Sequence, residues 1–166
     1  MIYISRRDLI QGVGAGPRAI EYNPSNEDMY VLNNISQDVL VIDSDTNTVN
    51  ETIDVGSTPQ SLEYSPSNEN IYIVNQGSDY ISVIQTDTNT ISETIDVGSE
   101  PSRPEYDPTN EYVYITNEFS DNVSVVGPDQ EPPPPTSEPS PFEGILGSGN
   151  NFGFQIQENS GNNVGG

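Results

Sequence analysis

The chain has 166 residues and a net charge of −22, from 26 acidic and four basic side chains, with no lysine, histidine or cysteine. That charge argues against nucleic acid and anionic membrane surfaces as partners, and the missing cysteines remove disulfides and thiol chemistry. Without histidine, lysine or cysteine, acid–base work would fall to Asp, Glu and Tyr alone. Hydrophobic residues make up 31%, below the ~45–50% of an ordinary soluble domain, and no apolar run approaches the ~18 residues that span a bilayer.

At the start, Ser5-Arg6-Arg7-Asp8-Leu9-Ile10 superficially resembles a twin-arginine export signal. The apolar stretch that should follow such a signal is absent. The sequence predicts instead a hairpin: a strand at 2–4, a turn at 5–8 and an outer strand at 9–13. Gly12, Gly14 and Gly16 invite a dinucleotide-loop reading. That loop needs a helix after it to meet a pyrophosphate, whereas Pro17 and a strand at 19–22 follow, so the glycines read as a turn between units.

From Gly14 onward the text repeats at an offset of 42 residues. Pro17, Pro59 and Pro101 align; so do Tyr22, Tyr64 and Tyr106; so do Asn33, Asn75 and Asn117. The second copy predicts four strands, at 60–64, 71–75, 80–84 and 91–96. A Pro/Ser/Asn turn separates the first two, and a Thr/Asp/Asn hairpin turn separates the last two. Ile, Val, Tyr and Thr dominate these strands and suit a pleated, half-buried surface. No window carries a helical apolar stripe. A period in the forties built from four short strands points to the blade of a β-propeller.

Tyr30-Val-Leu-Asn33, Tyr72-Ile-Val-Asn75 and Tyr114-Ile-Thr-Asn117 resemble the Tyr-Val-Thr-Asn signature of YVTN-type β-propeller repeats. The resemblance covers residues 9–126 and includes the trailing Thr94-Ile-Asp-Val-Gly98. It implies an all-β fold, a partial propeller of about three four-stranded antiparallel blades with a disordered C-terminal tail. The propeller region is expected over 1–127, with a partial blade at 1–13 and units at 14–55, 56–97 and 98–127. A Pro-rich linker is expected at 128–148 and a Gly/Asn-rich, disordered tail at 149–166. Both ends stop mid-pattern, so the expectation is a fragment of a longer protein, or a unit that completes its ring with a second copy. Archaeal surface-layer proteins are the nearest analogy. The resemblance therefore implies a non-enzymatic extracellular or cell-surface module with a structural, adhesive or ligand-binding role and protein or glycan partners. The alternatives are a lactonase- or hydrolase-like fragment and a periplasmic interaction platform.

No catalytic or cofactor-binding residue stands out. Asp43, Asp45 and Asn47 mimic the start of a calcium loop, but Thr48 holds the place of its turn glycine and Asp54 that of its final Glu. A hairpin turn is the default reading, and weak calcium binding the alternative. Glu21, Glu63 and Glu105 recur once per repeat beside the aligned tyrosines. If the first strand of each blade is innermost, they meet near the axis as an anionic, cation-binding lining. Asn34, Asn50 and Asn122 head three Asn-X-Ser/Thr triplets, candidate glycosylation sites of a secreted chain.

Overall fold

The computed structural model describes residues 9–127. The expected strand at 2–4, the turn at 5–8, the Pro-rich linker and the Gly/Asn-rich tail lie outside them.

Among the described residues, eleven strands form three antiparallel sheets, each running in chain order from inner to outer strand. The first sheet holds β1 (Pro17–Asn23), β2 (Asp28–Asn33), β3 (Asp38–Asp43) and β4 (Thr48–Asp54). The second holds β5 (Pro59–Ser65), β6 (Asn70–Asn75), β7 (Tyr80–Gln85) and β8 (Thr90–Asp96). The third holds β9 (Pro101–Asp107), β10 (Tyr112–Asn117) and β11 (Asn122–Val126). These are β-propeller blades. The strands expected in the second copy are all present, extended by no more than a residue at either end.

The stacking follows from the strand period. Successive side chains on a strand point to opposite faces, and the middle strands carry apolar residues on both. In β6, Ile71 and Ile73 pack towards the first blade, in a cluster with Tyr30, Leu32, Val39 and Val41. Tyr72 and Val74 point the other way, against Val113, Ile115 and Val126 of the third blade. A strand covered on both faces reads as a continuous apolar run, and Ile71–Asn75 is buried throughout. The far face of the first blade is a smaller cluster, Val31, Leu40 and Ile42, partly covered by Ile10 and Val13.

One asparagine per repeat does two jobs at the turn between the first two strands. The Oδ1 atoms of Asn26, Asn68 and Asn110 accept the backbone N–H two residues on, at 3.1, 3.3 and 3.1 Å. Their Nδ2 groups donate to the hydroxyls of Tyr30, Tyr72 and Tyr114 at 3.0, 2.9 and 2.7 Å. This turn ends on Glu27, Glu69 or Glu111, each in the left-handed region with φ between 57° and 65°. Side-chain capping of the turn offsets a backbone conformation that usually calls for glycine.

The junctions between blades also repeat. A Cβ on Gly14, Gly56 or Gly98 would sit 2.5–2.6 Å from the buried carboxamide of Asn33, Asn75 or Asn117. Glycine is required there by close approach.

Residues 9–13 depart from expectation and form no strand. A strand needs a hydrogen-bonding neighbour, and among the described residues no sheet edge lies alongside this segment. Two of its apolar side chains, Ile10 and Val13, still pack on the first blade, while Leu9 is exposed. The sequence also did not predict the short 3₁₀ turn Gln76–Ser78 that links β6 to β7.

Candidate functional site: the inner-strand surface

β5 packs between β1 and β9, so the three inner strands lie side by side. Glu21, Glu63 and Glu105 occupy one register position, opposite Tyr30, Tyr72 and Tyr114 respectively. The three glutamates therefore hold equivalent places on neighbouring inner strands. Burial pushes the Glu21 carboxyl above its ordinary value. Glu63, in the middle, is pushed up to about 7, first by burial and then by the charges of Glu21 and Glu105 on either side. Desolvation and like charges both disfavour the carboxylate. A backbone hydrogen bond involving Tyr106 acts in the opposite direction. Among the described residues, no three acidic side chains stand close enough together to hold a metal ion.

The same three strands, with Tyr114 and Thr116 of β10 and Val123 of β11, line a cleft of about 740 Å³. Arg18 of β1, Gln60 and Ser61 of β5, and Ser102, Arg103 and Glu105 of β9 line its polar side. Each inner strand is irregular at its start. The pairing shifts between Pro17 and Ala19, between Pro59 and Ser61, and opposite Ile115 and Asn117 on the partner of β9. Such bulges turn side chains out of the regular alternation, and here they fall at Arg18, at Gln60 and at the Ser102–Arg103 pair. Arg18 Nε donates to the Gln60 carbonyl at 3.1 Å, and the Ser61 hydroxyl donates to the Ser102 carbonyl at 2.7 Å. These bonds tie the inner strands of neighbouring blades together at the cleft.

The other sequence candidates do not line this cleft. Asp43 closes a hairpin turn: its Oδ1 accepts the N–H groups of Asp45 at 2.9 Å and Thr46 at 2.8 Å. Hydrogen bonds from Thr46 above all hold the Asp43 carboxyl below its ordinary value. Asn47 takes the left-handed position of that turn, with φ 57°. Of the three triplet asparagines, Asn34 is committed between blades, its Nδ2 donating to the Pro59 carbonyl at 2.7 Å. Asn122 Oδ1 accepts from Asn117 at 2.8 Å. Asn50 is exposed at a bulge of the outer strand β4, where the register shifts opposite Val41 and Ile42.

Sequence reasoning found the glutamates through their repetition but missed the cleft. Its signal was the opposite one, a break in the repeat. The counterparts of Arg18 are Gln60 and Ser102, and those of Arg103 are Ala19 and Ser61.

The family model described as Lactonase, 7-bladed beta-propeller matches residues 11–138. No curated protein matches the chain. Among solved structures it is similar to the hydrazine synthase of Kuenenia stuttgartiensis, with TM-score 0.62 and 22% identity over 75% of this chain and 36% of that one. It is similar to a Bacteroides uniformis protein described as a 6-phosphogluconolactonase, with TM-score 0.57 and 18% identity over 67% and 36%. It is also similar to the Cps50 (Swd1) β-propeller domain of Myceliophteria thermophila, with TM-score 0.59 and 14% identity over 70% and 37%. The chain thus spans a little over a third of the length of each of these.

Proposed function

The chain belongs to the family of seven-bladed β-propeller lactonases, and from that premise we propose that its inner-strand surface serves to bind a ligand and not to hydrolyse one. The observation that supports this is the equivalence of Glu21, Glu63 and Glu105, one per blade in a single register. Acid–base catalysis assigns different roles to groups in different environments. Here one carboxylate recurs as the blade does, and the proton affinity of Glu63 follows from its central place in the row. In this reading the chain is a non-enzymatic propeller module of the cell exterior, with protein or glycan partners. The YVTN-type signature, the lysine-free acidic composition and the exposed Asn50 triplet are in keeping with that setting. The test is hydrolysis of a sugar δ-lactone by the full chain near neutral pH, with and without added calcium. The expected rate is that of buffer alone.

A second reading has one observation in its favour. A carboxyl titrating at about 7 is poised as a general base at neutral pH. Glu63 would then activate water for attack on a lactone carbonyl, the activity the family description names. Lactone turnover that disappears in Glu63→Gln would establish this reading and overturn the first.

A further inference from the structure

Arg18 and Arg103 are the only cationic side chains among the described residues, and both line the same cleft. They come from different positions of the repeat, so the propeller symmetry does not bring them together; two separate departures from it do. Among the described residues the Arg103 guanidinium has no hydrogen-bond or ion-pair partner. An exposed guanidinium in a chain of net charge −22, sharing its cleft with the one carboxylate of Glu105 and paired with none among the described residues, is available to an external anion.

The rest of the lining narrows the chemistry of that anion. Gln60 offers an amide, Ser102 a hydroxyl, and Glu105 a carboxylate that can only accept hydrogen bonds when ionised. Glu105 beside the arginines disfavours a compact, multiply charged anion and favours one that brings hydroxyl donors of its own. The cleft, at about 740 Å³, is within the size range of small-molecule sites and far larger than a bare inorganic anion. One carboxylate, several hydroxyls and a volume of this size describe an acidic sugar. We propose that the Arg18–Arg103 cleft binds a uronic-acid saccharide, its carboxylate on the two guanidinium groups and its hydroxyls on Gln60, Ser102 and Glu105. This rests on the ligand-binding reading given above and supplies its ligand class.

The experiment titrates the full chain with digalacturonate, followed by calorimetry, beside the neutral disaccharide of the same linkage and inorganic phosphate. Digalacturonate is expected to bind at least about tenfold more tightly than either, because a charge-assisted guanidinium–carboxylate contact is absent from the neutral sugar and the hydroxyl contacts are absent from phosphate. Arg103→Ser installs the residue that the second copy carries at Ser61, so the fold should tolerate it. It should weaken digalacturonate about tenfold with an unchanged circular dichroism spectrum, and Arg103→Lys should retain part of the affinity. Equal binding of the neutral disaccharide overturns the acidic-sugar assignment while leaving a binding surface in place. Equal binding of phosphate reduces the cleft to a plain anion site and also overturns it. No binding of any of the three, together with lactone turnover, overturns the assignment and the binding reading beneath it.

Discussion

The second and third blades carry nearly the same text but stand in different surroundings. In the second, both faces are covered: Ile71 and Ile73 meet one neighbour, Tyr72 and Val74 the other. In the third, Val113, Ile115 and Val126 meet the second blade, while Val123 and Val125 are more than half exposed. The same strand pattern therefore yields a core element in one place and an open flank in another. In a repeat array the contribution of a residue is set by its neighbours as much as by its type, and seven substitutions, in four contrasts, sharpen or break that statement.

The largest effect is expected in the covered blade. Ile73→Ala removes a side chain that is 0% exposed between two sheets, and should cost about 2–5 kcal/mol in urea unfolding. Val123→Ala in the open flank, where the side chain is 54% exposed, should fall within about 0.5 kcal/mol of the parent. Similar losses for both would break the comparison.

Next comes the junction entering the second blade. A methyl group on Gly56 would lie 2.6 Å from Asn75 Cγ and 2.7 Å from the Tyr80 hydroxyl oxygen, so Gly56→Ala should lower stability by about 1–3 kcal/mol through overpacking. An unchanged melting temperature would mean that the junction yields freely.

The tyrosine hydroxyls give a finer contrast. Tyr30 donates to Asn89 of the next blade at 2.6 Å as well as accepting from Asn26. Among the described residues, the Tyr114 hydroxyl is bonded only to Asn110 within its own exposed turn. Tyr30→Phe should cost about 1 kcal/mol and Tyr114→Phe a few tenths of that, as buried and exposed hydrogen bonds differ.

The last contrast concerns pH. Glu63 has its proton affinity raised to about 7 in the folded chain, so between its unfolded value near 4.5 and about 7 the folded state binds more protons than the unfolded one. Stability is therefore fully present below that window and falls as pH rises through it. Glu63→Gln should flatten the slope and leave the protein more stable above neutrality, by on the order of 1 kcal/mol after allowing for the screening of a half-exposed group. Thermal melts across that pH range check both the sign and the size. Glu105→Gln should move the Glu63 midpoint down by removing one of its two repelling neighbours, visible in a carboxyl NMR titration.

The strands were legible because each is fixed by local pattern: alternating apolar residues bounded by Pro, Asn and Asp, copied at a constant offset. The turns were legible for the same reason, the Pro/Ser/Asn turn between β5 and β6 among them. What escaped depended on neighbours that no local pattern encodes. Residues 9–13 match the text of an outer strand loosely, yet strand formation needs an edge to pair with. The high proton affinity of Glu63 comes first from its burial between neighbouring blades and then from carboxylates on both of them, each 42 residues away. The Arg18–Arg103 cleft joins residues of unequal repeat position, and aligning the copies conceals it. Repetition thus revealed the scaffold and the acidic row, while the cleft lay in what did not repeat.

The glycine–asparagine contact at each junction bears on how such a chain can evolve. Gly56 meets Asn75, and Gly98 meets Asn117, so each coupling is carried whole inside a single unit. A tandem duplication by unequal recombination would thus arrive with its own fitted joint and ask for no compensating change elsewhere. Growth or shrinkage by whole units then becomes an easy genetic step, and a change of partial length a difficult one.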